Sequence, residues 1–105
     1  MRRGEIWWAE LASPAGKRPV LLLSRNEAYG VRKLVMVAPL TTRSRGIPSE
    51  VSLGDDDGVT RACVIDLDTI TRIAKAGLRE RLTALSAEKL KAVEEALHFS
   101  LGLDW

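Results

Sequence analysis

The sequence predicts an α+β fold in which a small, curled, mostly antiparallel sheet carries one C-terminal helix. About five to seven short segments are apolar or alternate apolar and polar residues, as β-strands do, and turn residues separate them. Residues 86–103 instead repeat their leucines at helical spacing. The chain has 105 residues, enough for one hydrophobic core, and we expect a single domain over residues 1–105.

The first strands are predicted from their apolar patterns. Over residues 4–11, GEIWWAEL alternates closely enough for a strand, so Trp7 and Trp8 should point to opposite faces and one of them should be core. The run RPVLLLS is typical of a central strand that is buried on both faces, with Pro19 as its first residue. LVMVAPL is a second apolar strand, which we expect to end at Pro39.

Turn residues predict the connections. ASPAGK is a loop because of its Pro and Gly, and NEAYGVRK connects the two apolar strands. The polar segment TTRSRGIP follows the second of them, and GDDDGV is an acidic turn. The remaining strands are predicted in SEVSL, RACVIDL, ITRI and LRERLTAL.

The C-terminal helix has recognisable ends. Ser86 is a good N-cap, and Gly102 stands where a left-handed residue commonly ends a helix. Its apolar stripe is expected to contain Leu90, Val93, Leu97 and Leu101.

Charge is distributed unevenly along the chain. The net charge is only +2, but residues 1–50 hold nine Lys and Arg residues against four acids, so the N-terminal half is cationic. No apolar run is long enough to span a membrane, and the N-terminus lacks the pattern of a signal peptide. We therefore predict a cytoplasmic protein without a membrane partner.

Several kinds of chemistry are disfavoured by composition. The single cysteine, Cys63, cannot form an internal disulfide and is predicted to be a buried, inert thiol. His98 is predicted on the helix surface or at the edge of the core, and no His or Cys pair has metal-ligand spacing. No glycine-rich phosphate loop and no G-x-S-x-G motif is present. We predict neither a metal site nor a cofactor.

Two basic segments border buried strands and form the candidate site. Arginine forks match phosphate oxygens, and hydroxyl groups donate to them. If the two strands are neighbours, one anionic group would contact both segments. The alternative is that these residues are solvated charges at strand ends. The candidates are Lys17 and Arg18 before one strand and Thr41, Thr42, Arg43 and Arg45 after the other.

Five sequence blocks, in order, resemble the MazF/PemK family of toxin endoribonucleases from type II toxin–antitoxin systems. They are RRGEIWWAEL, KRPVLLLSR, VMVAPLTTRSRGIPSEV, RACVIDLDTITRI and EALHFSLGL. The resemblance covers nearly the whole chain. It implies an SH3-like barrel with an appended helix, a homodimer, metal-independent cleavage of single-stranded RNA at short sequences, and inhibition by a cognate antitoxin.

The resemblance also implies the catalytic residues. The family's arginine in RPV falls on Arg18, and its threonine after the V-x-P strand falls on Thr41. The family's reaction uses the ribose 2′-hydroxyl as nucleophile and leaves a 2′,3′-cyclic phosphate and a 5′-hydroxyl. Arginine stays protonated in proteins, so we expect Arg18 to stabilise negative charge and regard it as the candidate proton donor, with Thr41 hydrogen-bonding a phosphate oxygen. The general base is unassigned.

Further residues are expected to contact RNA. The family's usual loop glutamate is missing from SPAGKR, so this loop supplies no carboxylate base. Thr69 replaces a frequent glutamine, and if that position reads a base edge, the recognised RNA motif should differ. Trp8 has three interpretations, in the core, at the dimer surface or at the antitoxin surface. The predicted RNA-binding residues are Lys17, Thr42, Arg43, Ser44, Arg45, Asp68 and Thr69.

Two other functions remain alternatives. The same fold carries gyrase-inhibiting toxins of the CcdB type, and a non-catalytic RNA-binding module would use the same cations. RPV and PLTT favour the nuclease over the gyrase inhibitor. The RNA motif, the class of RNA that is cut and the antitoxin's sequence are not determined by these residues.

Overall fold

A computed structural model describes residues 1–11 and 16–103. The predicted loop ASPAGK lies mostly in residues 12–15, outside the described part. The described residues form seven strands, two α-helices and two 3₁₀ turns. The strands are β1 (Glu5–Glu10), β2 (Lys17–Leu22), β3 (Leu34–Thr41), β4 (Glu50–Leu53), β5 (Cys63–Asp66), β6 (Thr71–Ala74) and β7 (Leu78–Ala84). The helices are α1 (Ala28–Val31) and α2 (Ala87–Leu101), and the 3₁₀ turns are Asp55–Asp57 and Lys75–Gly77.

The strands form an antiparallel sheet in the order β4-β5-β3-β2-β1-β7, with β6 also paired to β3. This architecture confirms the prediction of an α+β fold. The described strands do not close into a complete barrel, because β4 and β7 are not paired. The two ends nevertheless approach each other, since Thr83 Oγ1 donates to the carbonyl oxygen of Asp57 at 3.3 Å. A Cβ at neighbouring Gly58 would clash with the Thr83 side chain.

Strand β2 is central and buried on both faces, as predicted. Side chains alternate along it, so Leu21 joins one core and Val20 and Leu22 join a second core on the opposite face. Helix α2 covers the first core through Val93 and Ala96. The second core receives Tyr29 from α1. This double burial holds β2 rigidly between β1 and β3.

Three details of the sequence prediction were wrong. Pro19 is the third residue of β2 and not the first; β2 pairs with β1 from Lys17, whereas its pairing with β3 starts only at Val20. Strand β3 does not end at Pro39 but continues to Thr41, because β5 replaces β2 as its partner beyond the proline.

The third error concerns the end of the helical stripe. Leu101 is 59% exposed, while Ala96 is buried. Near its C-terminus α2 turns Ser100 toward the sheet, where the Ser100 hydroxyl donates to the carbonyl oxygen of Leu67 at 2.8 Å. Leu101 therefore falls off the packed face.

The predicted helix ends are confirmed. The Ser86 hydroxyl accepts the N–H of Lys89 at 3.1 Å, and Gly102 ends the helix in a left-handed conformation with φ of 68°. Among residues 1–11 and 16–103, no helix has the length and apolar character needed to cross a membrane.

Candidate active site

A cleft of about 250 Å³ opens where β2 begins and β3 ends. The register explains why the two segments meet: Val20 pairs with Pro39, so the first residues of β2 lie beside the last residues of β3. Arg18 and Thr41 both line this cleft. The other lining residues are Trp8, Pro19, Leu40, Thr42, Val59, Thr60, Arg61, Cys63 and Leu82.

The Thr41 hydroxyl is already oriented by the loop that follows β3. Thr41 is half-buried, and its Oγ1 accepts the N–H of Arg43 at 3.1 Å. Because a hydroxyl group donates one hydrogen as well as accepting, this bond leaves the Thr41 proton for a ligand. The Arg18 side chain is exposed and carries a planar fork of N–H donors. Both groups suit an anionic oxygen in the cleft.

The two tryptophans of β1 occupy opposite faces, as predicted. Trp7 packs against the second core, and its Nε1 donates to Glu5 Oε1 at 3.0 Å. Trp8 instead forms part of the cleft wall. Lys17 Nζ lies 5.6 Å from the centroid of a Trp8 ring, within the range of a cation–π contact. Trp7 is therefore the tryptophan that packs against a core, whereas Trp8 lines the cleft and contacts the Lys17 ammonium group.

A second cluster holds the loop after β3, and we call it the Glu50 clasp (Ser44, Arg45, Gly46, Glu50 and Asp66). The Glu50 side chain is only 4% exposed. Its Oε1 accepts the N–H groups of Arg45 at 2.9 Å and Gly46 at 3.1 Å, and the Ser44 hydroxyl at 3.4 Å. Arg45 pairs with Glu50 through Nε at 3.4 Å and with Asp66 through Nη2 at 3.5 Å.

The clasp favours an ionised Glu50. Burial by itself disfavours the charge, but the N–H of Arg45, its guanidinium and the N–H of Gly46 outweigh burial and lower the pKa of Glu50. The carboxylate is thus a stable anchor for the loop at neutral pH.

Asp68 and Thr69 lie beside the clasp. Asp68 Oδ2 accepts the hydroxyl of fully buried Ser49 at 2.6 Å. The hydroxyls of Ser49 and Ser100 lower the pKa of Asp68. Thr69 Oγ1 donates to Asp66 Oδ2 at 2.7 Å, so Asp66 joins Thr69 to the same network as Arg45.

Comparison with known proteins assigns the chain to one family. A family model described as PemK-like, MazF-like toxin of type II toxin-antitoxin system matches residues 2–101. The chain belongs to this PemK/MazF-like toxin family. The resemblance seen in the sequence blocks is thereby confirmed.

Individual relatives agree with this assignment. "Probable endoribonuclease MazF5" of Mycobacterium tuberculosis is 38% identical over 100 residues, which cover 94% of this chain and 91% of the relative. "Probable endoribonuclease MazF2" of the same species is 38% identical over 103 residues, with 97% and 99% covered. These relatives confirm the prediction of an enzyme of the endoribonuclease class.

Solved structures show the same fold. Mycobacterium tuberculosis toxin MazF-mt6 superposes with a TM-score of 0.88 at 32% identity, covering 96% of this chain and 99% of the toxin. An endoribonuclease from mycobacterial species, solved in complex with its cognate antitoxin, superposes with a TM-score of 0.90 at 28% identity, covering 100% and 98%.

The PemK/MazF-like fold brings some predicted site residues together and separates others. Arg18, Thr41 and Thr42 line the cleft, and Lys17 lies beside it on Trp8. Arg43 is exposed and contributes its backbone N–H to Thr41. The remaining predicted residues, Ser44, Arg45, Asp68 and Thr69, belong to the Glu50 clasp or its neighbours.

Sequence reasoning missed the apolar lining residues of the cleft and, among residues with reactive or polar side chains, Thr60, Arg61 and Cys63. The available signal was the polar pair Thr60 and Arg61, which lies just before an apolar strand, as Lys17 and Arg18 do. Cys63 is half-buried rather than fully buried. Burial and the nearby Asp57 charge raise the pKa of the Cys63 thiol.

Proposed function

We propose that this chain is the toxin of a type II toxin–antitoxin system that cleaves single-stranded RNA at specific sequences without a metal ion. The observation that carries the proposal is the meeting of Arg18 and Thr41 in one cleft of a PemK/MazF-like fold. The endoribonuclease names of the relatives support the choice of RNA as substrate. DNA lacks the nucleophilic hydroxyl and should remain intact.

The proposed reaction is an internal phosphoryl transfer. The ribose 2′-oxygen gives its proton to solvent water and forms a bond to phosphorus, and the bond from phosphorus to the 5′-oxygen breaks. The leaving oxygen takes a proton from solvent water or from the Arg18 guanidinium, which water then reprotonates, and the products are a 2′,3′-cyclic phosphate and a 5′-hydroxyl. Negative charge accumulates on the phosphate oxygens in the transition state, so a fixed guanidinium there lowers the barrier.

Arg18 supplies that charge in our proposal, and Thr41 supplies a hydrogen bond. Arg18 is in β2, where Val20, Leu21 and Leu22 are buried, so the strand fixes its backbone relative to the substrate. The Thr41 hydroxyl, held by the Arg43 N–H, donates to a phosphate oxygen. Since no described residue of the cleft wall is a carboxylate or a histidine, positioning and charge stabilisation carry the catalysis that we assign to these residues.

RNA contacts outside the reacting phosphate follow the exposed edge of the cleft. Lys17, Thr42 and Arg43 are exposed there and are proposed to bind the RNA backbone. Ser44 and Arg45 are engaged by Glu50, so we propose that they act on RNA mainly through the loop they shape. Asp68 and Thr69, both exposed, are proposed to contact base edges, as the sequence analysis suggested for Thr69.

We also propose a homodimer and a cognate antitoxin as protein partners. One structural neighbour was solved with its cognate antitoxin, and others are MazE–MazF complexes from Deinococcus radiodurans. An antitoxin segment with acidic and apolar side chains would complement a cleft with two arginines and apolar walls. It would then compete directly with RNA. An unchanged RNA affinity in the toxin–antitoxin complex would contradict direct competition between the antitoxin and RNA.

The decisive experiment is cleavage of a long single-stranded RNA in EDTA, with the cut sites and end groups mapped. We expect discrete cuts that end in 2′,3′-cyclic phosphate. Arg18→Ala should lower the cleavage rate by about 100- to 1,000-fold or more, as loss of a charge-stabilising donor does. Arg2→Ala removes an exposed arginine that does not line the cleft, and this variant should cleave RNA at the wild-type rate.

Circular dichroism and the melting temperature serve as folding controls for Arg18→Ala. Full cleavage by a folded Arg18→Ala variant would reject the assignment. Intact RNA with the wild-type protein, together with inhibition of purified gyrase, would favour the CcdB-type alternative. Salt-sensitive RNA binding without any cleavage would favour the RNA-binding module.

A further inference from the structure

Arg61 is a second arginine of the cleft that the family motifs do not assign. It lies in the segment that leads into β5, and it lines the cleft together with Arg18. Its side chain is exposed, and none of the ion pairs formed within residues 1–11 and 16–103 includes it. The Arg61 charge is therefore available to a ligand.

The chemistry of the cleft wall favours an anion as that ligand. Two guanidinium groups share a small cavity, while no described lining residue carries a negative charge. The wall is otherwise formed by hydroxyl groups and by apolar side chains such as Leu40 and Val59. Low-dielectric walls concentrate the positive field at the cleft, which favours binding of an anion there.

We propose that Arg61 binds a phosphate group of the RNA inside the cleft, alongside Arg18. This inference rests on the proposed function and deepens it, because it adds a residue to the RNA site that the family motifs do not include. The guanidinium fork matches two phosphate oxygens, and the hydroxyls of Thr42 and Thr60 line the same cavity as further donors.

Arg45 provides the contrast that makes this assignment specific. Both residues are arginines near the end of β3 or the start of β5, and charge alone would rank them equally. Arg45 is held by Glu50 and Asp66, so an RNA phosphate would have to displace two carboxylates. Arg61 has no such competitor among the described residues. We therefore assign to Arg61 the phosphate contact that the sequence analysis assigned to Arg45.

The test separates binding from cleavage. The probe is the RNA that the wild-type protein cleaves, with a 2′-deoxynucleotide at the mapped cut site so that it binds but is not cut. Arg61→Ala should weaken its binding by about tenfold or more, the usual effect of losing a hydrogen bond to a charged group. The slope of log affinity against log salt should become shallower by about 0.7, which corresponds to one phosphate contact on a single strand.

Two further variants control the result. Arg61→Lys keeps the charge and loses the fork, so it should restore the salt slope but only part of the affinity. Arg2→Ala, an exposed arginine away from the cleft, should change neither quantity. With cleavable RNA, an increase in KM for Arg61→Ala would place the contact on a flanking phosphate, and a decrease in kcat would place it on the reacting one.

The outcomes distinguish this inference from the proposed function. If the wild type cleaves RNA and Arg18→Ala does not, but Arg61→Ala binds with unchanged affinity and salt slope, the role of Arg61 is refuted and the nuclease stands. If Arg61→Ala has a lower melting temperature, its loss of affinity is ambiguous and the Arg61→Lys variant is used instead. An RNA affinity of Arg61→Lys equal to that of the wild type would also refute the contact of the guanidinium fork. If the wild type neither binds nor cleaves RNA, the proposed function itself fails.

Discussion

The cleft and the Glu50 clasp both adjoin the end of β3, but the charged groups around their arginines differ. In the cleft, Arg18 and Arg61 share a cavity whose described wall has no carboxylate. In the clasp, one guanidinium, that of Arg45, faces the two carboxylates of Glu50 and Asp66. The comparison of Arg61 with Arg45 shows that the neighbours of an arginine, more than its residue type, decide whether its charge is held by carboxylates or is available to a ligand.

The clasp also stabilises the loop that borders the cleft. Glu50 uses its buried carboxylate to hold three consecutive residues of the loop, Ser44 to Gly46, through backbone and side-chain bonds. The backbone N–H of Arg43, just before them, donates to Thr41 in the cleft. The clasp therefore supports the orientation of the Thr41 hydroxyl through the loop that follows β3.

The largest effect that would sharpen this comparison is expected from Thr41→Val. The change keeps the shape of the side chain but removes a hydrogen-bond donor to a charged oxygen, which is worth about 10- to 100-fold in rate. The melting temperature should change little, because valine suits a strand end at least as well as threonine. Single-turnover cleavage of the mapped RNA measures the effect.

Thr42→Val is the matched control, since Thr42 is exposed in the same cleft and has no assigned catalytic role. We expect a smaller loss, seen mainly in KM. Equal losses in kcat for the two variants would contradict a specific role for Thr41.

An intermediate effect is expected from Glu50→Gln, which tests whether the clasp serves stability rather than chemistry. The melting temperature should fall by several degrees, because the amide binds the Arg45 guanidinium less well and Arg45 keeps only the partner Asp66. Cleavage at a temperature where the variant is folded should fall only a few-fold. A loss of cleavage as large as that of Arg18→Ala, without a change in melting temperature, would contradict this division.

The pH dependence of stability gives a second measurement on the same variant. In the folded protein the pKa of Glu50 is below its ordinary value of 4.5. Ionised Glu50 therefore stabilises the fold above about pH 4.5, and this stabilisation is lost as the pH falls through the pKa of Glu50 in the folded protein. Asp68 adds a dependence of the same sign, since its pKa is also lowered. Unfolding of wild type and Glu50→Gln at several acid pH values should show a shallower slope for the variant.

The smallest effect is expected from Cys63→Ser. Cys63 lines the cleft, but its raised pKa leaves little thiolate at neutral pH, so it is a poor nucleophile and a poor base. We expect cleavage within about twofold of wild type and slow labelling by iodoacetamide. A tenfold loss of kcat in a folded variant would show that the sulfur takes part in the reaction.

Much of the fold was predictable from local patterns. The strands, the cap at Ser86 and the stop at Gly102 follow from side-chain periodicity and backbone preference, which neighbouring residues determine. The errors at Pro19, Pro39 and Leu101 share one cause: each depends on which strand or helix face lies opposite. A proline is tolerated inside a strand where the neighbouring strand does not need a hydrogen bond from its backbone nitrogen. Which strand is the neighbour depends on residues that are distant in the sequence.

The candidate site divides in the same way. By itself the sequence determined the strands, the capped helix, the two motifs RPV and PLTT and the resemblance to a toxin family, because these depend on the order and type of nearby residues. The tertiary structure decided that Arg18 and Thr41 share a cleft, that Arg61 joins them and that Arg45 is bound by carboxylates. Asp66 is 21 residues after Arg45, and only the pairing of β4 with β5 and of β5 with β3 brings such distant charges into contact.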